Sequence, residues 1–288
     1  MMGPRRPGLR RGRRADGGRA PWIALASTIV VFGLIGLIVV NAPGWPEIQR
    51  SFLDPARFGD AWEDVVPAFW KNVQLALIAE SLVLVIALFI AVLRSLPGPA
   101  FFPFRVLATI YVDVFRAIPG VLIIFALGFG APALRLPGLP NDPFFWAVVT
   151  LTLLYSAYVS EVYRAGIESV HPSQDAAARS LGLSRWQSLR YVVLPQAIRR
   201  VIPPLLNDFI GLQKDTVLVS FIGVVEIFRT AQIKQSASFN FTPYVAVAVI
   251  FLLVTIPLAR FTDWLLARQG VGRAEAIARG AAPVGGVR

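Results

Sequence analysis

The sequence predicts an all-α integral membrane protein with about six spanning helices. Three observations carry that prediction. Of the 288 residues 56% are hydrophobic and only 16% are charged, against about 25% charged in an average soluble protein. Mean hydropathy is +0.62, too apolar for a surface that faces water, so the exterior must face lipid. The uncharged runs are also long enough to cross a bilayer, which takes about 20 mostly apolar residues in a helix. The chain has no Cys and one His, His171. That excludes disulfides, thiolate nucleophiles and Cys- or His-rich metal centres, and no metal ligands are expected.

The elements follow in order. Residues 1–21 are Arg-rich and should be cytoplasmic. The run 22–40 is free of charge and forms the first span. Its basic flank and Val40-Asn-Ala42 resemble a signal peptide, but 19 apolar residues exceed the usual 7–15 of such a segment, so a retained helix is expected. Residues 41–66 should form an external loop. The second span, 72–93, is apolar except for Glu80. The third, 117–134, is preceded by an apolar stretch from Phe101. The fourth is 143–160. The fifth, 201–225, carries Asp208, Lys214 and Asp215 and is the weakest by hydropathy. The sixth, 235–259, has an apolar core beginning near Tyr244. Residues 269–288 form a Gly/Ala/Arg-rich tail, expected to be flexible and cytoplasmic.

Lys and Arg retained on the cytoplasmic side set orientation. With the N-terminus inside, seven arginines precede the first span. Two more, Arg94 and Arg105, fall in the next inward loop. Six lie in the loop 161–200 and five at the C-terminal end. The outward segments hold seven cations: Arg50, Arg57, Lys71, Arg135, Lys214, Arg229 and Lys234. Arg116, within an apolar region, is left unassigned. The bias places both termini in the cytoplasm and explains the net charge of +11 as topology and lipid contact. No aromatics are interleaved with the basic head, so nucleic acid is not the expected partner.

The stretch Glu161–Pro195 is too long for a plain connector and should carry structure of its own. Pro172-Ser173 opens a short helix, with Ser173 as the expected cap and Asp175 in the positive first turn. Ala176, Ala177 and Ala178 favour the helix, and Gly182 suits the left-handed position that ends one. Ser184 with Gln187 forms a capping box for a second helix running to about Val193. The first helix is about 12 Å long. Its exposed side, Ala176, Ala177 and Ser180, is small enough for another protein to approach closely. A helix lying on the membrane surface would need large apolar residues opposite Lys and Arg, which it lacks. Ahead of it, Glu161, Arg164 and Glu168 form a charge ladder, and His171 reads as a solvated loop residue.

This segment resembles the cytoplasmic loop of bacterial ABC importer permeases, whose pattern is Glu-Ala-Ala, three residues, Gly, nine residues, Ile, one residue, Leu-Pro. Here Ala176-Ala177-Ala178, Gly182, Val192 and Leu194-Pro195 meet every spacing. The flanks are similar to the polar amino-acid permeases, the histidine, glutamine, glutamate and arginine type. They comprise Arg164-Ala-Gly-Ile167, Ser169-Val170, Gln174, Leu194-Pro-Gln-Ala197, Pro203 with Asn207, Lys214-Asp-Thr216, and Arg116-Ala-Ile-Pro119. The resemblance covers about residues 67–268. Three positions depart from it: Ala176 stands where the family has Glu, Ser173 where it has Gly, and Val192 where it has Ile. Either Asp175 substitutes for that Glu or a partner docks by shape alone.

The resemblance implies a five-helix permease domain over 67–268, with the 22–40 span added in front. It implies a coupling loop at about 165–193 whose Ser173, Gln174, Asp175, Ala176, Ala177, Gly182, Leu194 and Pro195 meet a dimer of ATP-binding subunits. Further implied partners are a second permease, identical or homologous, an extracytoplasmic solute-binding protein, an amino-acid substrate and membrane lipid. It implies a bacterial inner-membrane location. The chain has no G-x-x-x-x-G-K-[ST] phosphate loop. It is therefore not expected to be an enzyme or to hold a cofactor, and ATP with Mg belongs to the partner.

Ionisable groups inside a span are costly, about 2.5–3.5 kcal/mol at helix centre, and usually face a cavity or a partner. Pro204, Asn207, Asp208, Gly211, Lys214 and Asp215 fall on one helical stripe. An amino-acid zwitterion needs both signs opposite it, which Lys214 with Asp208 or Asp215 could supply; these charges could equally neutralise partners in the assembly. Glu80 either lines the same path or bonds a neighbouring helix. Asp113 and Arg116, three apart, should pair. An importer of another small polar solute is the alternative. A self-sufficient secondary transporter would show inverted repeats and broken helices at matched positions, and no repeat is visible; an intramembrane enzyme would show a nucleophile elbow or a second His, and neither is present.

Overall fold

A computed structural model describes residues 20–96, 98–135 and 137–268. The head expected over 1–21, but for its last two residues, and the tail 269–288 lie outside the described residues. Among the described residues every regular element is helical. Four helices are long and apolar enough to cross a membrane, and six spans result if each of two bent pairs counts as one.

The chain divides into two compact units, one ending at Leu53 and one beginning at Asp54. The first holds α1 (Ala20–Val40) and α2 (Trp45–Phe52). From Trp22 to Val40 every side chain of α1 is exposed, and its 21 residues reach about 30 Å, the thickness of a hydrocarbon core. Its two hydroxyls are satisfied inside the helix, Ser27 and Thr28 both donating to the Ala24 carbonyl, as lipid requires.

The second unit begins with α3 (Pro55–Ser95), 41 residues long. The Asp54 side chain caps it by accepting from the Ala56 and Arg57 amides, and Pro55 occupies the first turn, where its missing N–H costs nothing. The expected external loop 41–66 is thus largely helical, in α2 and the first turns of α3. Asp60, Glu63 and Asp64 keep those turns out of any uncharged run. The turns are capped by Asp54 and bury Ala61 and Val65 in a cluster with Ile227 and Ala246, and Lys234 Nζ reaches Asp60 and Asp64 at 2.8 and 2.6 Å. At about 60 Å, α3 is twice the hydrocarbon thickness.

The third span is bent. α4 (Phe102–Ala117) and α5 (Gly120–Phe125) meet at Ile118-Pro119, and the axes change direction by 107°. Ile118 is extended, with ψ 132°, as the residue before proline prefers. α5 continues through a π-helical turn (Ala126–Gly130) into α6 (Ala131–Ala133). The uncharged run 117–134 is therefore the second limb of a broken element.

α7 (Pro143–Glu168), capped by Asp142, lies at the centre of this unit. Ala147, Leu151, Leu154 and Val159 are buried against α3, α5 and α10 in one apolar core. The Tyr111 hydroxyl on α4 donates to the Leu153 carbonyl at 2.6 Å and meets Ser156 Oγ at 2.7 Å. α8 (Pro172–Ser180) and α9 (Arg185–Ser188) follow, then a π-helical turn (Leu189–Val193) leading into α10 (Leu194–Asp215). The fifth span, expected to 225, leaves the α-helical path at Asp215 and runs as 3-10 helix over Thr216–Ile222. Gly223, at φ +94°, turns the chain. α11 (Ile227–Ser238) and α12 (Thr242–Arg268) complete the unit.

The reversal before α11 is held by a buried polar knot. Glu226, fully buried, accepts from the Phe228 and Arg229 amides and from Asn72 Nδ2 at 2.8 Å. Asn72 also donates to Thr216 Oγ1 and accepts from the Ile227 amide. Thr216 of the Lys-Asp-Thr element is thereby part of the frame.

Candidate functional site

The loop between α7 and α10 folds as two helices, as its punctuation predicts. Gly182 sits at φ +88°, and the Leu183 amide reaches back to the Ala178 carbonyl, a closure that needs a left-handed residue. The Ser184–Gln187 capping box is complete in both directions. The cap of α8 is not Ser173. His171 holds that position, and its Nδ1 accepts from the Ser173 amide at 3.2 Å. His171 is exposed, but it is a structural cap and not a bystander. Proline at the first helical position moves the start of α8 one residue earlier and makes residue 171 the flanking one.

Asp175 turns inward. Its Oδ1 accepts from Ser188 Oγ at 2.5 Å, and Ser188 is fully buried, so the carboxylate ties α8 to α9. Ser173, Gln174, Ala176, Ala177 and Ser180 are all exposed. Beyond them stand two large apolar side chains, Leu181 and Trp186, exposed by 84% and 65%. Leu181, just before the closing glycine, is the signal in the sequence for this apolar edge. Leu194 is exposed and Pro195 opens α10. Above the loop the charge ladder is closed: Arg164 bridges Glu161 at 2.6 Å and Glu168 at 2.9 Å. Arg94 at the end of α3 joins Glu161 from the other side. Arg200 Nη1 donates to the Ser169 carbonyl, fastening α10 to the end of α7.

Two cavities run along α7 and α10. One, of about 310 Å³, is lined by Gly120, Tyr155, Tyr158, Asn207, Asp208, Gly211 and Asp215 among others. The other, of about 480 Å³, is lined by Arg116, Tyr158, Glu161, Gly166, Arg200 and Asp208 among others. Tyr158 and Asp208 belong to both, so the pair leads from Asp215 to Arg200 beside the loop. The predicted stripe of α10 faces this route at Asn207, Asp208, Gly211 and Asp215. Asp215 accepts from the Tyr155 hydroxyl at 2.8 Å. Asp208 Oδ2 is buried without a hydrogen-bond partner among the described residues.

Three expectations change here. Lys214 is exposed, lines neither cavity and forms no ion pair with Asp208 or Asp215 among the described residues; its neighbour Asp215 takes the inward position. Glu80 Oε2 is buried without a hydrogen-bond partner among the described residues, so the expected bond to a neighbouring helix is not made through that atom. Asp113 and Arg116 do not pair. The Arg116 guanidinium lies 5.8 Å from the Tyr158 ring centroid on α7. No group of three or more His, Asp or Glu side chains among the described residues is arranged to hold a metal ion.

Glycines let the lining helices approach. A Cβ on Gly120 would lie 2.8 Å from Leu154, and one on Gly166 would lie 2.0 Å from Val201 Cγ2. The second contact explains the glycine of Arg164-Ala-Gly-Ile167.

Comparison with known proteins gives consistent matches. The family described as binding-protein-dependent transport system inner membrane component matches residues 84–271. A Bacillus subtilis protein named probable glutamine ABC transporter permease protein GlnM is 35% identical over 207 residues, 72% of this chain and 93% of that one. The glutamine transport system permease protein GlnP of Escherichia coli is 39% identical over 153 residues, 53% of this chain and 69% of its own. The solved structure of an amino acid ABC transporter with histidines superposes with a TM-score of 0.67 at 30% identity, covering 75% of this chain and 98% of that chain.

Proposed function

The chain belongs to the binding-protein-dependent transport system inner membrane components, and from that membership we propose that it is the membrane-spanning subunit of an ATP-driven importer of polar amino acids. The observation that carries the reading is the loop. A short helix with an exposed Ala176-Ala177 face closes at a left-handed Gly182, with exposed Leu181 just before that glycine and exposed Trp186 beyond it. Such a knob suits a groove on a separate ATP-hydrolysing subunit. We assign Ser173, Gln174, Ala176 and Ala177 to the docking face, Gly182 to its closure, and Leu194-Pro195 to the entry of α10. Asp175 shapes the knob from within, so the partner meets small side chains and not an acidic one.

The route along α7 and α10 is the proposed path, with Asn207, Asp208 and Asp215 lining it and buried Glu80 of α3 a further candidate. Carboxylates and phenols there suit the ammonium of an amino acid. The Arg116 and Arg200 guanidiniums nearer the loop suit its carboxylate. The arginine distribution supports both termini in the cytoplasm. The working assembly contains two permeases, two ATPases and an external binding protein, with ATP and Mg held by the ATPases.

Affinity purification from the native membrane tests the proposal. Wild-type chain should bring down an ATPase in stoichiometric amount, and Ala177→Trp or Gly182→Trp should lose it while still inserting. An uptake panel of amide, acidic and basic amino acids, run beside other small polar solutes, then reads the substrate. Absence of any ATPase under conditions that preserve related complexes would sink the importer reading.

A further inference from the structure

Where α3, α4 and α7 end on the loop side, three guanidiniums from three helices converge on a pocket outside the proposed path. It has a volume of about 490 Å³ and is lined by Arg94, Arg105, Arg164, Thr109, Glu168 and the apolar side chains of Phe102, Val106 and Ile110. Arg94 and Arg164 are held from behind by Glu161, and Glu168 engages Arg164 at the rim. Arg105 has no carboxylate partner among the described residues. It donates to the Leu96 carbonyl at 2.6 Å, and its guanidinium lies 5.9 Å from the Phe102 ring centroid. Three arginines against two glutamates leave the pocket cationic. Phe102, Val106 and Ile110 recur every fourth residue on α4 and are all exposed, so an apolar track runs from the pocket along the helix.

We propose that this pocket binds the phosphodiester headgroup of an anionic phospholipid from the leaflet on the loop side, with an acyl chain lying along the α4 track. The chemistry is two-sided. The guanidinium fork matches phosphate oxygens, and basic pockets between helices at the cytoplasmic interface favour anionic headgroups. Soluble phosphate would use the arginines and leave the track empty; a lipid uses both. Placing the leaflet on the cytoplasmic side rests on the proposed orientation, but binding is independent of the solute carried. A bound headgroup would join the ends of α3, α4 and α7 immediately above the coupling loop.

The test is native mass spectrometry of the full-length chain in mild detergent, titrated with cardiolipin, with phosphatidylcholine and with inorganic phosphate. Cardiolipin should bind in preference to phosphatidylcholine. Arg105→Gln should weaken it about fivefold, the worth of one arginine near an anionic surface. Arg105→Lys should retain most of the affinity, and Thr109→Glu, which adds a carboxylate to the pocket, should weaken binding as Arg105→Gln does. Arg260→Gln, an exposed arginine away from the pocket, should have no effect. Equal losses in Arg105→Gln and Arg260→Gln would overturn the proposal, as would displacement of cardiolipin by inorganic phosphate at equal concentration. If Arg105→Gln yields no folded chain, Thr109→Glu carries the test alone, and unchanged cardiolipin affinity in it refutes the site.

Discussion

Asp175 illustrates what a single side chain does here. In the sequence it reads as a displaced copy of the acid that the family motif would place at residue 176. In the fold it is an internal tie, accepting from the buried Ser188 hydroxyl. Removing either partner strands the other, at about 1–3 kcal/mol for a buried polar group left unmade. Asp175→Ala and Ser188→Ala should therefore weaken ATPase co-purification to similar degrees, and the double variant should be no worse than the single ones. Additive losses would mean that Asp175 contacts the partner directly. Its position in the first turn was legible from spacing. Its direction was not, because Ser188 lies thirteen residues on and meets it only after Gly182 reverses the chain.

At the scale of elements, the informative contact is the crossing of α7 and α10. Gly166 carries no Cβ because Val201 occupies the space where one would be, 2.0 Å away. Gly166→Val should force the helices apart and cost about 1–3 kcal/mol, the usual penalty of overpacking. Thermal unfolding in detergent reads this, and Val201→Ala should restore part of the loss. A Gly166→Val chain as stable as wild type would show that α10 shifts freely. The capping signals of α8 and α9 and the break at Pro119 were readable because caps and proline act within a few residues. The helical character of 55–66 was not, because the face it buries, Ala61 and Val65, packs against Ile227, Ala231 and Ala246, which come from α11 and α12 far along the chain.

At the scale of the whole molecule, the proposed route has carboxylates where the zwitterion's ammonium would pass and arginines nearer the loop. Asp208→Asn should lower amino-acid uptake about tenfold or more, since hydrogen bonds to a charged group are worth about 1.5–3 kcal/mol, while ATPase co-purification is unchanged. Lys214→Gln, an exposed position, should stay within about twofold of wild type, the usual range of surface substitutions. Reversal of that order in a transport assay would return Lys214 to the path. By itself the sequence determined the membrane class, four to six candidate apolar spans and the loop with its two short helices. Each of these follows from local hydropathy, caps and turn residues that act over a few positions. Only the tertiary structure decided that Asp215 lines the cavity along α7 and α10 and Lys214 does not, that Arg116 lies over Tyr158 and not beside Asp113, and that three distant arginines share one pocket. The physical reason is that a charge one residue away on a helix points about 100° elsewhere. Which direction is inward is set by the helices packed around it and by the bend at Pro119.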